Sequence, residues 1–363
     1  MKEFWLYNTK TMIQRPHNIY IHVPYCKSKC RYCAFFSHAC AEPDWGNYTN
    51  LICKEIVFWA NKLNHNTVPT IFFGGGTPSL IPQKYMEQIL NTIRQNFLIE
   101  NNAEITLEAN PATIDAIKLH DFQSMGINRL SVGVQRLNDE ELRFLGRAHN
   151  AHDAVELICI AQDLNLRVSA DFIYGIPDDT EQSVKNLCRQ INNLGLTHCS
   201  LYELTIEENT PFGKMNLNMP SNDEMATMYQ SITKNLDLPR YEVSNYATPE
   251  NQCRHNSNIW NGEPYIGIGK GAAGRILIDG IWYEQKGNAE VFNPLTEKER
   301  AIEKILTGLR TIRGCQLTQD IKNVIDIDWV KKHPQFIQIS DNTIRTTGDG
   351  MLILDNLITN VVK

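Results

Sequence analysis

The feature that most constrains the fold is an alternation. Short runs rich in β-branched and aromatic residues recur at 19–23, 70–73, 105–108, 129–134, 167–173 and 199–204. Each has the length and composition of a buried strand. Between them apolar residues fall three and four apart, as in Ile52, Ile56, Trp59 and Leu63, then Tyr85, Ile89 and Ile93, then Val155, Ile158 and Leu164. That spacing is the stripe of a helix lying on a core. Strands that alternate with helices run parallel, because each crossover returns the chain to the same end of the sheet. The pattern therefore predicts an α/β fold, a partial or complete β/α barrel, whose chemistry collects where the strands end.

The strand ends carry unusual residues. The first runs into Pro24 and three cysteines; the second into Gly74, Gly75, Gly76 and Thr77; the third into Glu108, Asn110 and Pro111; the fourth into Gln135. The fifth carries Asp171 and stops at Gly175, Ile176 and Pro177. Four stretches are expected: an N-terminal segment 1–15, a core barrel 16–211, a connector 212–290 with its own function, and a small α+β domain 291–363. The last is read from a helical pattern at Ile302, Ile305, Leu306 and Leu309, then strand-like pieces at 336–339 and 351–354.

Charge narrows the function. With 35 Lys and Arg against 41 Asp and Glu, the net charge of -6 gives no field for holding nucleic acid through its phosphates. The start of the chain lacks the apolar run of a secretory signal, and no stretch has the roughly 18 apolar residues of a membrane span. A cytoplasmic location without a transmembrane segment is the expectation. The ten cysteines are few for a chain of 363 residues, so a disulfide scaffold is not indicated.

Three of those cysteines are grouped. Cys26, Cys30 and Cys33 form a C-x3-C-x2-C loop directly after a strand. Three thiolates suit a [4Fe-4S] cubane with one iron left open, and an amino and carboxylate pair such as that of S-adenosylmethionine can chelate the open iron. A zinc site in a structural protein is the competing reading.

In order, IYIHVPYCKSKCRYC, FFGGGTPS, LEANP, SVGVQ and DFIYGIP, with YEVSNYA and CRHNSNIW further on, resemble the radical S-adenosylmethionine superfamily. The branch is that of oxygen-independent coproporphyrinogen III dehydrogenases and haem chaperones. The resemblance implies a partial (βα)6 barrel and a winged-helix-like C-terminal domain. It implies that Cys26, Cys30 and Cys33 hold the cluster. Tyr20, Tyr32, Gly75, Gly76, Thr77, Glu108, Gln135, Arg147 and Asp171 match positions that contact S-adenosylmethionine, with Arg147 suited to the methionine carboxylate.

Two departures point within the branch. Dehydrogenases carry a fourth cysteine two residues after the third, where this chain has Phe35, and they have a longer segment before the first strand. Both favour a haem chaperone that passes haem to acceptors such as respiratory enzymes. A dehydrogenase acting on coproporphyrinogen III is the alternative, so whether the chain is an enzyme stays open. His255 sits in HNSNIW, a motif tied to haem in the resembled chaperones, and imidazole is a common axial ligand. Ile259 stands where tyrosine is usual, and Ala273 where the resembled GAHG has histidine.

Overall fold

The structure is a computed structural model that describes residues 16–63, 66–287 and 292–363. The segment 1–15 lies outside them. Six strands, β1 (Asn18–Val23), β2 (Thr67–Gly75), β3 (Leu98–Ala109), β4 (Arg129–Gln135), β5 (Arg167–Tyr174) and β6 (His198–Glu203), pair side by side in chain order and all parallel. The sequence alternation requires this arrangement. The helices between them bury their apolar stripes against the sheet: Trp45–Lys62 contributes Ile52, Ile56 and Trp59, and Gln83–Asn96 contributes Ile89 and Ile93. Starts are set by side-chain caps. Asp44 accepts the amide of Asn47, and Asn150 with Asp153 forms a capping box on Ala151–Asp163.

The chain after Pro211 returns to both edges of this sheet. β7 (Asn245–Ala247) lies antiparallel on β6, whereas β8 (Tyr265–Ile268) runs parallel beside β1 and is followed outward by antiparallel β9 (Ala273–Ile278), β10 (Ile281–Lys286) and β11 (Phe292–Pro294). The eleven-stranded order is β11-β10-β9-β8-β1-β2-β3-β4-β5-β6-β7, and among the described residues its two ends do not pair. Yet one cavity is touched by Tyr20 of β1, Phe72 of β2, Thr106 of β3, Ser131 of β4, Ser169 of β5 and Ser200 of β6. A flat sheet could not bring those together, so the sheet curls into an open barrel with a lumen.

Residues 297–363 pack around a second core that includes Ala301, Ile305, Leu309, Ile321, Val330, Ile337, Ile344 and Leu357. Helix Glu297–Gly308, strand Cys315–Gln316, helices Gln319–Val324 and Ile327–Lys332, and the hairpin Ile337–Ser340 with Thr343–Thr346 follow one another, the order of a winged helix. One expected strand is corrected. The apolar run 351–354 is a turn leading into helix Leu354–Val361, while the second strand of the hairpin is Thr343–Thr346. The signal lay in Asp341 and Asn342, both at positive φ (49° and 55°), which make the two-residue turn that suits a twisted hairpin. No described helix is long and apolar enough to cross a membrane.

Candidate functional site

At the mouth of the barrel, where the parallel strands end, the cysteine loop leaves β1. Its backbone is pinned at several points: Cys40 N–H donates to the Cys26 carbonyl, Cys33 N–H to that of Cys30, and Arg31 N–H to that of Leu145. Cys26 is buried, Cys30 and Cys33 half-buried, and none is in a disulfide. Burial pushes the Cys33 thiol up, and the charges of Cys30 and Cys26 push the same way, so the three thiols share one field. Arg147 answers it by donating Nη1–H to Cys30 Sγ at 3.3 Å and Nη2–H to the Gly133 carbonyl at 2.7 Å.

Among the described residues no three His, Cys, Asp or Glu side chains converge on one metal ion. A tetrahedral zinc site needs such convergence. In a cubane each cysteine takes a different iron, and Arg147 lies beside one of the three thiols, Cys30. Arg147 Nε is buried without a partner, so one more acceptor can be taken up beside the thiols.

The glycine turn after β2 closes against the cysteine loop. Gly76 N–H donates to the Val23 carbonyl, and a Cβ on Gly76 would fall 2.6 Å from the Tyr25 carbonyl and 3.0 Å from Cys26 Sγ. Gly75, at φ 108°, would place a Cβ 2.6 Å from the His22 ring. Both positions need bare backbone. Thr77 follows, buried. Gly75 N–H also donates to Glu108 Oε2 at 3.0 Å, tying the turn to β3.

Below the glycines, two carboxylates face the lumen. Burial and then the charge of Asp171 push Glu108 up to about 8. Burial also raises Asp171, against a hydrogen bond from Ser131 Oγ at 2.7 Å. Tyr20 stands beside them. The Phe36 carbonyl can only accept, so His22 carries its proton on Nε2 (2.8 Å) and takes the Tyr20 hydroxyl proton on Nδ1 (3.0 Å). Gln135 has φ 67° at a β-bulge in β4, and a Cβ on Gly133 would fall 3.0 Å from its amide nitrogen. Tyr32 lies close enough to Arg147 to act on its charge.

The lumen holds about 250 Å3, and Tyr20, Glu108, Asp171 and His255 all line it. A cleft of about 390 Å3 shares Tyr20, Glu108 and Ile259 with it and opens at the mouth between Phe35, Phe36, Tyr265 and Ala273. A wider concavity, about 950 Å3, lies outside both, between Lys27, Trp45, Pro111 and Leu157, and holds none of the residues expected to bind the cluster, S-adenosylmethionine or haem.

His255 is apart from the rest. It lies on helix Arg254–Trp260, buried at the floor of the barrel, where β1 and β2 begin. Its ring is fixed by a chain of hydrogen bonds. Asn18 Nδ2–H donates to the Pro264 carbonyl, so Asn18 Oδ1 accepts from the Thr70 hydroxyl; Thr70 Oγ1 must then accept Nδ1–H of His255, at 2.6 Å. Nε2 is left as a lone pair, buried and unpartnered. Burial holds the imidazole neutral, pushing it down to about 4.

Sequence reasoning missed this floor. Glu104 accepts the His255 amide at 2.9 Å and Arg129 Nε–H at 2.8 Å, with Arg167 3.3 Å away. It also missed Ser131, Ser169 and Ser200. Their signal was a polar residue at every second position of strands that otherwise read as apolar.

Comparisons with known proteins bear on the family and the fold. The Radical SAM superfamily pattern matches residues 20–191. The chain is 38% identical to Heme chaperone HemW of Escherichia coli (strain K12) over 72% of this chain and 71% of that one. It is 33% identical to Heme chaperone HemW of Synechocystis sp. (strain ATCC 27184 / PCC 6803 / Kazusa) over 86% and 82%. In structure it superposes on coproporphyrinogen III oxidase (HemN) from Escherichia coli with a TM-score of 0.80, over 95% of this chain and 90% of the other, at 18% identity, a likeness of fold. The chain belongs to the radical S-adenosylmethionine superfamily, in its HemN/HemW family, and that membership implies a [4Fe-4S] cluster and S-adenosylmethionine.

Proposed function

We propose that this protein is a haem chaperone that binds haem and delivers it to acceptor proteins such as respiratory enzymes. The observation that carries the reading is Phe35. In the loop that presents Cys26, Cys30 and Cys33, the position two after Cys33 is an apolar ring that is 68% exposed, where the dehydrogenases of the family have a fourth cysteine. The relatives named Heme chaperone HemW support the same reading.

Within it, Cys26, Cys30 and Cys33 ligate the [4Fe-4S] cluster, and Arg147 stabilises the thiolate of Cys30. When bound and reduced, that cluster can supply one electron to S-adenosylmethionine. Gly75, Gly76 and Thr77 offer backbone and a hydroxyl to that ligand at the turn. Glu108 and Asp171, which repel each other inside a poorly solvated mouth, favour a cation between them, and S-adenosylmethionine carries both an ammonium and a sulfonium charge. Tyr20, Tyr32 and Gln135 border the same space. As a ligand to haem iron His255 is chemically competent, since its Nε2 lone pair is free and Thr70 orients the ring.

Coproporphyrinogen III dehydrogenation is the second reading, favoured by the likeness of fold. An anaerobic assay with coproporphyrinogen III, run beside a haem titration on the same preparation, separates the two. The chaperone reading expects a saturable Soret shift and no accumulation of protoporphyrinogen. Turnover of coproporphyrinogen III with no specific haem binding would replace it.

A further inference from the structure

The two cavities are unequal hosts for a planar macrocycle, a contrast that takes the haem reading above as its premise. The lumen faced by His255 holds about 250 Å3, below the roughly 300–1,000 Å3 of pockets that take drug-sized ligands, and is ringed by all six parallel strands. Its histidine is locked by Thr70, Asn18 and Pro264. The mouth cleft, at about 390 Å3, opens beside two consecutive exposed phenylalanines, Phe35 at 68% and Phe36 at 49%. Exposed aromatic rings flanking an apolar cleft mark a binding surface. Lys270, exposed at the rim, holds its ammonium 5.8 Å from the centre of the Phe36 ring.

Both positions at which the sequence departs from the resembled motifs, Ile259 and Ala273, line this cleft. Where those motifs have a phenol and an imidazole, this chain presents a branched alkyl group and a methyl. The HNSNIW segment therefore meets the mouth through Ile259, while its histidine faces the floor.

We infer that haem lies at the mouth, its apolar face against Phe35, Phe36 and Ile259 and its carboxylates towards Lys270, and that His255 is a floor residue and not the iron ligand. The occupant this surface suits is a flat amphiphile with an apolar face and an anionic edge, which a tetrapyrrole with two propionates is.

The test uses full-length, cluster-loaded protein titrated anaerobically with haem, followed by the Soret band, with iron and sulfide content measured on every variant. The double variant Phe35→Ser/Phe36→Ala should bind haem at least tenfold more weakly at unchanged cluster content, and Lys270→Glu severalfold more weakly. His255→Asn should stay within about twofold of the parent. Ala273→His adds an imidazole to the cleft wall and should change the position of the bound Soret band. If the mouth variants bind as the parent does while His255→Asn abolishes the shift, the inference is overturned and the floor is the site. An unchanged band in Ala273→His would also count against it. Absence of a saturable shift in the parent protein would instead bring down the haem reading itself, so the two failures are distinct.

Discussion

The mouth and the floor of one barrel are built on opposite principles. At the floor, side chains from distant parts of the chain close on one another: Glu104 takes up Arg129, Arg167 and the amide of His255, and Asn18 joins Thr70, Asn258 and Pro264. At the mouth the same strands end in features that weaken a fold. There are glycines without side chains, a bulge with Gln135 at positive φ, two carboxylates that repel each other and three thiols in one field. Stability is concentrated in the first region and chemistry in the second. This is the division expected when a rigid scaffold carries a site that must stay open to ligands.

The sharpest way to break that contrast is at the cysteines. Replacing Cys26, Cys30 or Cys33 with Ala should remove the brown chromophore and the spin signal of the reduced cluster altogether. At Cys30 and Cys33, which are only half-buried, it should move the denaturation midpoint little. Iron and sulfide analysis with a urea titration reads both. Cys53, which accepts a hydrogen bond from Thr92 on a neighbouring helix, is the control and should keep its cluster. Retention of the chromophore in all three variants would remove the basis of the site.

The converse holds at the floor. Arg129→Met leaves Glu104, fully buried, with only the partly exposed Arg167 as an ionic partner. Breaking a buried pair from one side costs about 3–5 kcal/mol. Urea denaturation should show that loss, with cluster content per folded molecule unchanged. A loss below about 1 kcal/mol would mean that the floor does not anchor the barrel.

How much of this was legible follows from the same division. The mouth could be read because its chemistry is contiguous: Cys26 to Cys33 span eight residues, and Gly74 to Thr77 four. The parallel strands could be read because each is a local apolar run. The floor could not, since Asn18 meets Asn258 across 240 positions and Glu104 meets His255 across 151. Pairing of β8 with β1 was hidden for the same reason, as Asn18 to Ile21 lie beside Tyr265 to Ile268 in register although nearly 250 residues apart. His255 shows the limit of a motif. The sequence marks the residue, but only the chain of hydrogen bonds through Thr70 tells which nitrogen is free and which way it faces.

Arg147 sharpens the contrast from the side of binding. It already donates to Cys30 and Gly133 and keeps Nε unpartnered. Losing a hydrogen bond to a charged ligand costs about 1.5–3 kcal/mol, so Arg147→Ala should weaken S-adenosylmethionine binding by roughly ten- to a hundredfold. Calorimetry on cluster-loaded protein measures it. An affinity equal to that of the parent would confine Arg147 to the thiolate of Cys30.

The smallest effect is one of pH, and it tests whether the mouth is strained by its own charges. Burial and the neighbouring Asp171 push Glu108 up to about 8, from an ordinary glutamate value of 4.5. The folded form thus holds this proton between about 4.5 and 8, where the unfolded chain has released it. Stability then falls as pH rises through that window, and the Glu108 contribution is constant above it. In the ligand-free protein the thermal midpoint should drop by a few degrees from pH 6.5 to pH 8, and Glu108→Gln should flatten that part of the profile. Affinity for the cationic ligand should run the other way. Ionised Glu108 attracts it, so binding should tighten as pH rises from 6.5 towards 8.5 in the parent and stay level in Glu108→Gln. His255, held near 4, and His149, pushed to about the same value by burial, give a separate loss of stability below about pH 6.5, which lies outside the range of the binding measurement. If stability and affinity in the parent both stay level between pH 6.5 and 8.5, Glu108 carries an ordinary carboxylate, and the mouth is as relaxed as the floor.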